Sequence, residues 1–239
     1  MKTYIIIPAR LASNRLANKP LLEVDGKPLL QWTYDRACQA ESDKVIVSTS
    51  DPEIVDYCKN NGIMCILTSE SVLTGTHRCA EVLWTLDQEL TEEDYSLDSI
   101  VVNWQCDEPL VDPKDIGKLV KATKEFYGIS TLVANMEEKH FDDRNTTKAV
   151  VGDTGLIHWF SRKHIIGNKA HIGIYAFRSA ILRKLGKLRR TKFSTAESLE
   201  QLAWLENGFQ IGAVGTWDVP LSINTERDFE KFKEMMENN

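Results

Sequence analysis

A doubly wound α/β fold, with a mostly parallel sheet flanked by helices, is predicted by three observations. Short β-branched apolar runs at residues 4–8, 44–49, 63–68 and 99–103 each end in turn residues, as strands buried on both faces do. Helical patterns fill the gaps between these runs, and that alternation implies right-handed crossovers and a parallel sheet. No Pro/Gly/Ser-rich linker, internal repeat or low-complexity segment divides the 239 residues, which fit one large domain. In such a Rossmann-like sheet, ligands sit at the carboxyl ends of the strands.

The elements follow in order. Residues 4–8 form the first strand, and residues 29–40 carry Leu30, Trp32, Thr33, Ala37 and Cys38 at mixed helical spacing. Asp51-Pro52-Glu53 supplies an N-cap, a proline at the first helical position and an acidic first turn, and Asn60-Asn61-Gly62 ends that helix. After about Lys121 the rhythm loosens. Residues 129–136, 148–151 and 171–177 are strand-like, and residues 137–147 between them are polar. Residues 129–180 are expected to form a substrate-side or dimerisation elaboration within the single domain 1–239. Residues 225–236 make a charged amphipathic helix expected along the sheet edge.

Composition narrows the function classes. A net charge of −6 argues against a nucleic-acid-coating surface. No stretch approaches the 18 or so apolar residues of a membrane span. Met1-Lys2-Thr3 leads straight into a strand, so no signal peptide is expected and the predicted location is cytoplasmic. The five cysteines, with no Cys-x-x-Cys pair, read as free buried thiols and not as a zinc site.

Several constellations could carry chemistry. Arg10, Arg15 and Lys19 fall within ten residues directly after the first strand, interleaved with Ala9, Ala12, Ser13 and Ala17. Guanidinium forks, an ammonium and closely approaching backbone N–H groups suit a triphosphate. A solvated basic loop has the same composition, and neither the Walker nor the dinucleotide glycine pattern is present. Gln105-Cys106-Asp107-Glu108-Pro109 closes a buried strand at the ligand end of the sheet, where Asp107 is suited to Mg²⁺; a solvated turn is the alternative. Thr74-Gly75-Thr76-His77-Arg78 opens a helix, with Thr76 as a possible cap. His171 and Tyr175 share a strand face by period two, and Glu197 and Gln201 share a helix face at spacing four.

The order of these blocks is more specific than any one of them. Ile-Pro-Ala-Arg-Leu-Ala-Ser-Asn-Arg-Leu with Lys-Pro-Leu, then Gly-Thr-x-Arg, Gln-x-Asp-Glu-Pro, Phe-Ser-Arg, His-x-Gly-Ile-Tyr and Leu-Glu-Gln-Leu, resembles the cytidylyltransferases that activate 3-deoxy-manno-octulosonate (Kdo). The resemblance runs from residue 4 to about residue 235. It implies a nucleotide-diphospho-sugar transferase fold, CTP and a 2-keto-3-deoxy sugar acid as substrates, Mg²⁺ as cofactor and a homodimer. It implies that Ala9, Arg10, Ser13, Lys19, Gln105 and Asp107 bind the nucleotide, with Arg10, Lys19 and Asp107 catalytic. Arg15, Arg78, Arg162, His171, Tyr175, Glu197 and Gln201 would line the sugar pocket, and Asp107 and Asn224 would hold the metal.

Departures from the family pattern sharpen the expectations. Ala17-Asn18 stands where the family carries Pro-Gly, which predicts a different loop path. Cys106 replaces a glycine, and Asn224 replaces the second metal aspartate, with Asp218 as a carboxylate six residues upstream. The segment from Arg162 to His171 is short. Two alternatives follow: a modified Kdo or another ulosonic acid as substrate, or a catalytically weakened nucleotide-binding homologue.

Overall fold

A computed structural model describes residues 1–12, 15–72, 74–89, 98–165 and 169–237. In chain order the elements are β1 (Thr3–Pro8), β2 (Glu23–Val24), β3 (Lys27–Pro28), α1 (Leu29–Ala37), β4 (Lys44–Thr49), α2 (Pro52–Asn60), β5 (Cys65–Leu67), α3 (Gly75–Glu89), β6 (Ile100–Trp104) and α4 (Pro113–Ala122). There follow β7 (Ile129–Ala134), β8 (Lys148–Val151), β9 (Ile157–Ser161), β10 (Lys169–Arg178), α5 (Ser179–Leu185), α6 (Lys192–Glu197), α7 (Gln201–Glu206), β11 (Gly212–Gly215) and α8 (Glu226–Glu237). The main sheet runs β11-β7-β10-β6-β1-β4-β5, and a β8–β9 pair joins it through β10. Neighbours are parallel except at β10, which is antiparallel to both β6 and β7.

Both faces of the sheet are covered, which is why its strands read as unbroken apolar runs. Along β1, Tyr4 and Ile6 enter one core cluster with α3, α5 and α7, while Ile5 and Ile7 enter the other with α1, α2 and α4. The strands β9 and β11 and the β2–β3 hairpin carry no strong apolar alternation and were not anticipated from sequence.

Local corrections have identifiable causes. Asp51 occupies the N-cap position of α2, but its carboxylate accepts no helix N–H. It takes the backbone N–H of Leu11 (2.9 Å) and so ties the loop after β1 to the start of α2. Thr76 is not a cap either, because α3 begins one residue earlier at Gly75. The terminal helix α8 packs away from the sheet edge, where Phe232 meets Trp32 edge-on at 5.8 Å beside Val24, Leu29 and Ile223. Cys38 is exposed, whereas Cys58, Cys79 and Cys106 are buried free thiols.

Candidate active site

Two adjoining cavities, of about 1170 and about 450 Å³, open at the carboxyl ends of β1 and β6. They share Arg10, Arg15, Thr74, Gly75, Gln105 and Asp107 as walls. The smaller is basic on one side, lined by Ala9, Arg10, Lys19 and Arg78. The larger reaches Arg162, His171, Tyr175 and Gln201.

The loop after β1 is held by backbone bonds, with Ala9 N–H donating to the Ser48 carbonyl at 2.9 Å. At its far end Asn18 adopts a left-handed conformation (φ 52°, ψ 23°), followed by a short 3₁₀ turn at Lys19–Leu21. Asparagine is among the few non-glycine residues that tolerate this region. The substituted pair Ala17-Asn18 therefore still supports a left-handed turn. That turn delivers Lys19, whose Nζ lies 2.6 Å from Asp107 Oδ2 and 3.1 Å from the Ile223 carbonyl. Ser13 lies outside the described residues.

Gln105 approaches the start of α3 so closely that a Cβ on Gly75 would fall 2.8 Å from its Nε2. A side chain at position 75 would push that amide aside. Arg78, assigned from sequence to the sugar pocket, instead lines the smaller cavity with Arg10 and Lys19. Its guanidinium is buried, donating to the hydroxyls of Thr68 and, at 3.5 Å, of Ser50, because α3 presents it towards β4 and β5.

In the larger cavity, His171 and Tyr175 do share a face of β10, with ring centroids 5.1 Å apart. The Nε2 of His171 lies 3.0 Å from the Thr131 hydroxyl, which also reaches the Ile174 carbonyl at 2.7 Å and the Ile172 carbonyl at 3.3 Å. Burial, with a smaller contribution from Arg162, pushes the His171 pKa down to about 3, so the ring is neutral at pH 7. A folded-state value below the unfolded 6.5 means that stability is full above pH 6.5 and falls as pH drops from there towards 3. His171→Asn should therefore reduce acid sensitivity by about 2 kcal/mol at pH 5, read from urea unfolding at pH 5 and 7.5. An unchanged pH slope would count against a neutral buried imidazole.

Glu197 and Gln201 do not share a helix. Ser198 turns left-handed (φ 55°) and ends α6, after which α7 starts at Gln201. Gln201 lines the larger cavity, while Glu197 does not; its carboxylate accepts the Arg162 N–H at 3.1 Å. Asp218 is exposed and outside both cavities, so it does not make up for Asn224. Within the Arg162–His171 segment, residues 166–168 lie outside the described residues.

Sequence reasoning gave no separate role to Glu108 and Glu200, which are among the carboxylates lining the larger cavity. Glu200, beside Gln201, takes the Thr76 hydroxyl at 3.0 Å. Glu108 takes the Ser222 hydroxyl at 2.6 Å, leaves its second oxygen buried without a partner, and is pushed up to about 8 mainly by burial. The Tyr175 hydroxyl is likewise buried and unpartnered. Buried polar atoms normally find partners, so orphans in a cavity wall point to a polar ligand.

A doubly wound sheet with a basic pocket at β1, a carboxylate at the end of β6 and a polar cavity beside it suits a nucleotidyltransferase, the class to which the relatives below belong. The Cytidylyltransferase family profile matches residues 4–211. The chain is 36% identical to the mitochondrial 3-deoxy-manno-octulosonate cytidylyltransferase of Arabidopsis thaliana, over 97% of this chain and 82% of that one. It is 34% identical to the 3-deoxy-manno-octulosonate cytidylyltransferase of Chlorobium phaeobacteroides, over 100% and 98% respectively. Its structure superposes on a CMP:2-keto-3-deoxy-manno-octonic acid synthetase complexed with CTP, with a TM-score of 0.87 and 29% identity over 100% of this chain and 99% of that one. The chain belongs to the 3-deoxy-manno-octulosonate cytidylyltransferase family.

Proposed function

We propose that this enzyme transfers CMP from CTP to the anomeric hydroxyl of Kdo, releasing pyrophosphate. The joined cavities carry this reading: a basic arm sized for a triphosphate meets a polar arm in which Arg15 and Arg162 are available to a sugar acid, and Gln105 and Asp107 stand on the shared wall. Arg10, Lys19 and Arg78 face the triphosphate and offset charge as it builds on the leaving pyrophosphate. Arg15 and Arg162 take the sugar carboxylate, while His171, Tyr175, Glu200 and Gln201 hold the hydroxyls. Fixing the anomeric oxygen in line with the α-phosphorus supplies most of the catalysis, because no covalent intermediate is needed.

Asp107 is the residue that would hold Mg²⁺ together with triphosphate oxygens. It is a partly exposed carboxylate that already attracts a cation, Lys19, at 2.6 Å, which fits the hard oxygen chemistry of this ion. When bound, Mg²⁺ neutralises phosphate charge. Among the described residues no helix is long and apolar enough to cross a membrane. A cytoplasmic homodimer supplying CMP-Kdo for lipopolysaccharide or capsule completes the proposal.

The test is pyrophosphate release by the full chain with CTP and Mg²⁺, across Kdo, amino-substituted Kdo and sialic acids. Release is expected with Kdo foremost. No release with any ulosonic acid would overturn the reading, and a strong preference for another acid would replace the substrate.

A further inference from the structure

We propose that Asn224 and Asn145 form an uncharged clasp that presents the Arg15 guanidinium to the substrate carboxylate, and that Asn224 serves this clasp instead of a metal ion. The inference rests on the transfer reaction proposed above.

Arg15 stands on the exposed rim where the two cavities meet. One terminal nitrogen donates to Asn145 Oδ1 at 3.0 Å and the other to Asn224 Oδ1 at 2.9 Å. Both acceptors line the larger cavity, Asn145 from the segment between β7 and β8 and Asn224 just before α8. Two fixed acceptors orient the planar fork, and because both are amides they leave its positive charge intact. A carboxylate at either place would orient the fork equally well and cancel the charge that must attract the sugar acid.

Each amide is itself braced. The Ile223 N–H donates to the Asp107 carbonyl (2.8 Å), and the Asn224 N–H donates to Asp228 Oδ2 (3.1 Å), which also takes the Thr225 N–H and hydroxyl at the start of α8. The Asn145 N–H donates to Asp143 Oδ1 (2.9 Å). Arg162 grips the carbonyls of Arg144 and Asn145 at 3.2 and 3.3 Å. Lys148, fully buried, fastens the same turn by donating to the Asp143 carbonyl at 2.5 Å. Carbonyl acceptors, those of Asp143 and, at 3.5 Å, Arg162, offset part of the cost of burying its ammonium. The second guanidinium, Arg162, is thus held on the turn that holds the first, again by neutral acceptors. Two cations converging with amide and carbonyl partners make a receptor for a single carboxylate.

The same geometry argues against Asn224 as a metal ligand. A neutral amide brings no charge to offset a dication placed beside the Arg15 guanidinium that it accepts from at 2.9 Å. Asp107, one backbone bond away, carries the charge that Asn224 lacks.

The discriminating variant is Asn224→Asp, compared with Asn224→Ala, Arg15→Lys and the unaltered protein. Steady-state KM values for Kdo and CTP are measured, and Mn²⁺ binding to the protein–CTP complex is followed by electron paramagnetic resonance, which needs no turnover. In N224D the new carboxylate pairs with Arg15, so the KM for Kdo rises roughly ten- to a hundredfold, the scale of one charge-assisted hydrogen bond. The KM for CTP and the Mn²⁺ affinity stay within about twofold. R15K raises the KM for Kdo in the same way, because an ammonium cannot span both amides. Mn²⁺ affinity that tightens about tenfold or more in N224D, or a fall in its KM for Kdo, would overturn the proposal. If the unaltered protein releases no pyrophosphate, the proposed function fails, yet the Mn²⁺ titration still decides whether position 224 is a metal site.

Discussion

Asp107→Asn is expected to lower kcat about a thousandfold or more while the protein stays folded. Asp107 is the carboxylate at the end of β6, a quarter exposed, between the two cavities. It orients Lys19 at 2.6 Å, and its backbone carbonyl fixes Ile223. The amide keeps the size and the backbone bond but removes the negative charge. Lys19 then loses its ion pair, though not its bond to the Ile223 carbonyl, and on the proposed function Mg²⁺ loses its carboxylate ligand. Several kcal/mol of charge stabilisation in the transition state corresponds to a factor of about a thousand. The loss should fall mainly on kcat, with unfolding by urea changed by less than about 1 kcal/mol because the site is partly solvated. A variant retaining a tenth of normal activity would show that Asp107 holds neither the metal nor the lysine that matters.

Trp204→Ala should produce the largest loss of stability. Trp204 on α7 is 2% exposed and packs edge-on against Tyr175 at 5.0 Å and Phe177 at 5.5 Å. Removing such a side chain costs the transfer energy and leaves a cavity, together about 3–5 kcal/mol. For a domain of this size, the melting temperature should fall by about 10 °C. Activity should suffer as well, through a higher KM for the sugar acid, because Trp204 is the side wall that holds Tyr175 in the cavity. The control is Trp84→Ala on α3, where 64% exposure predicts a change within about 0.5 kcal/mol. If both variants melt together, packing behind Tyr175 is not what holds this face of the sheet.

Much of the site was legible because its residues follow short buried strands. Arg10 and Lys19 after β1, and Gln105 and Asp107 after β6, are placed by a strand's carboxyl end, and a strand is readable from local apolar runs. His171 and Tyr175 were legible as a pair because the period of a strand is two. Glu197 and Gln201 were misread because spacing four assumes an unbroken helix, and nothing about Ser198 announces its left-handed turn. The cavity that Arg78 lines was not legible, because its sequence neighbours say only that it lies near the start of a helix. Which cavity it enters depends on how α3 packs against β4 and β5.

The loop after the first strand shows where the division falls. Its cations and its place at the end of a buried strand follow from chemistry local in the chain, and the sequence alone determined them. What each cation faces did not follow. Lys19 reaches Asp107 across 88 residues, and Arg15 reaches Asn145 and Asn224 across 130 and 209. Only the tertiary structure decided those pairings, because they depend on crossovers that bring distant turns to one end of the sheet, and no local pattern encodes that distance.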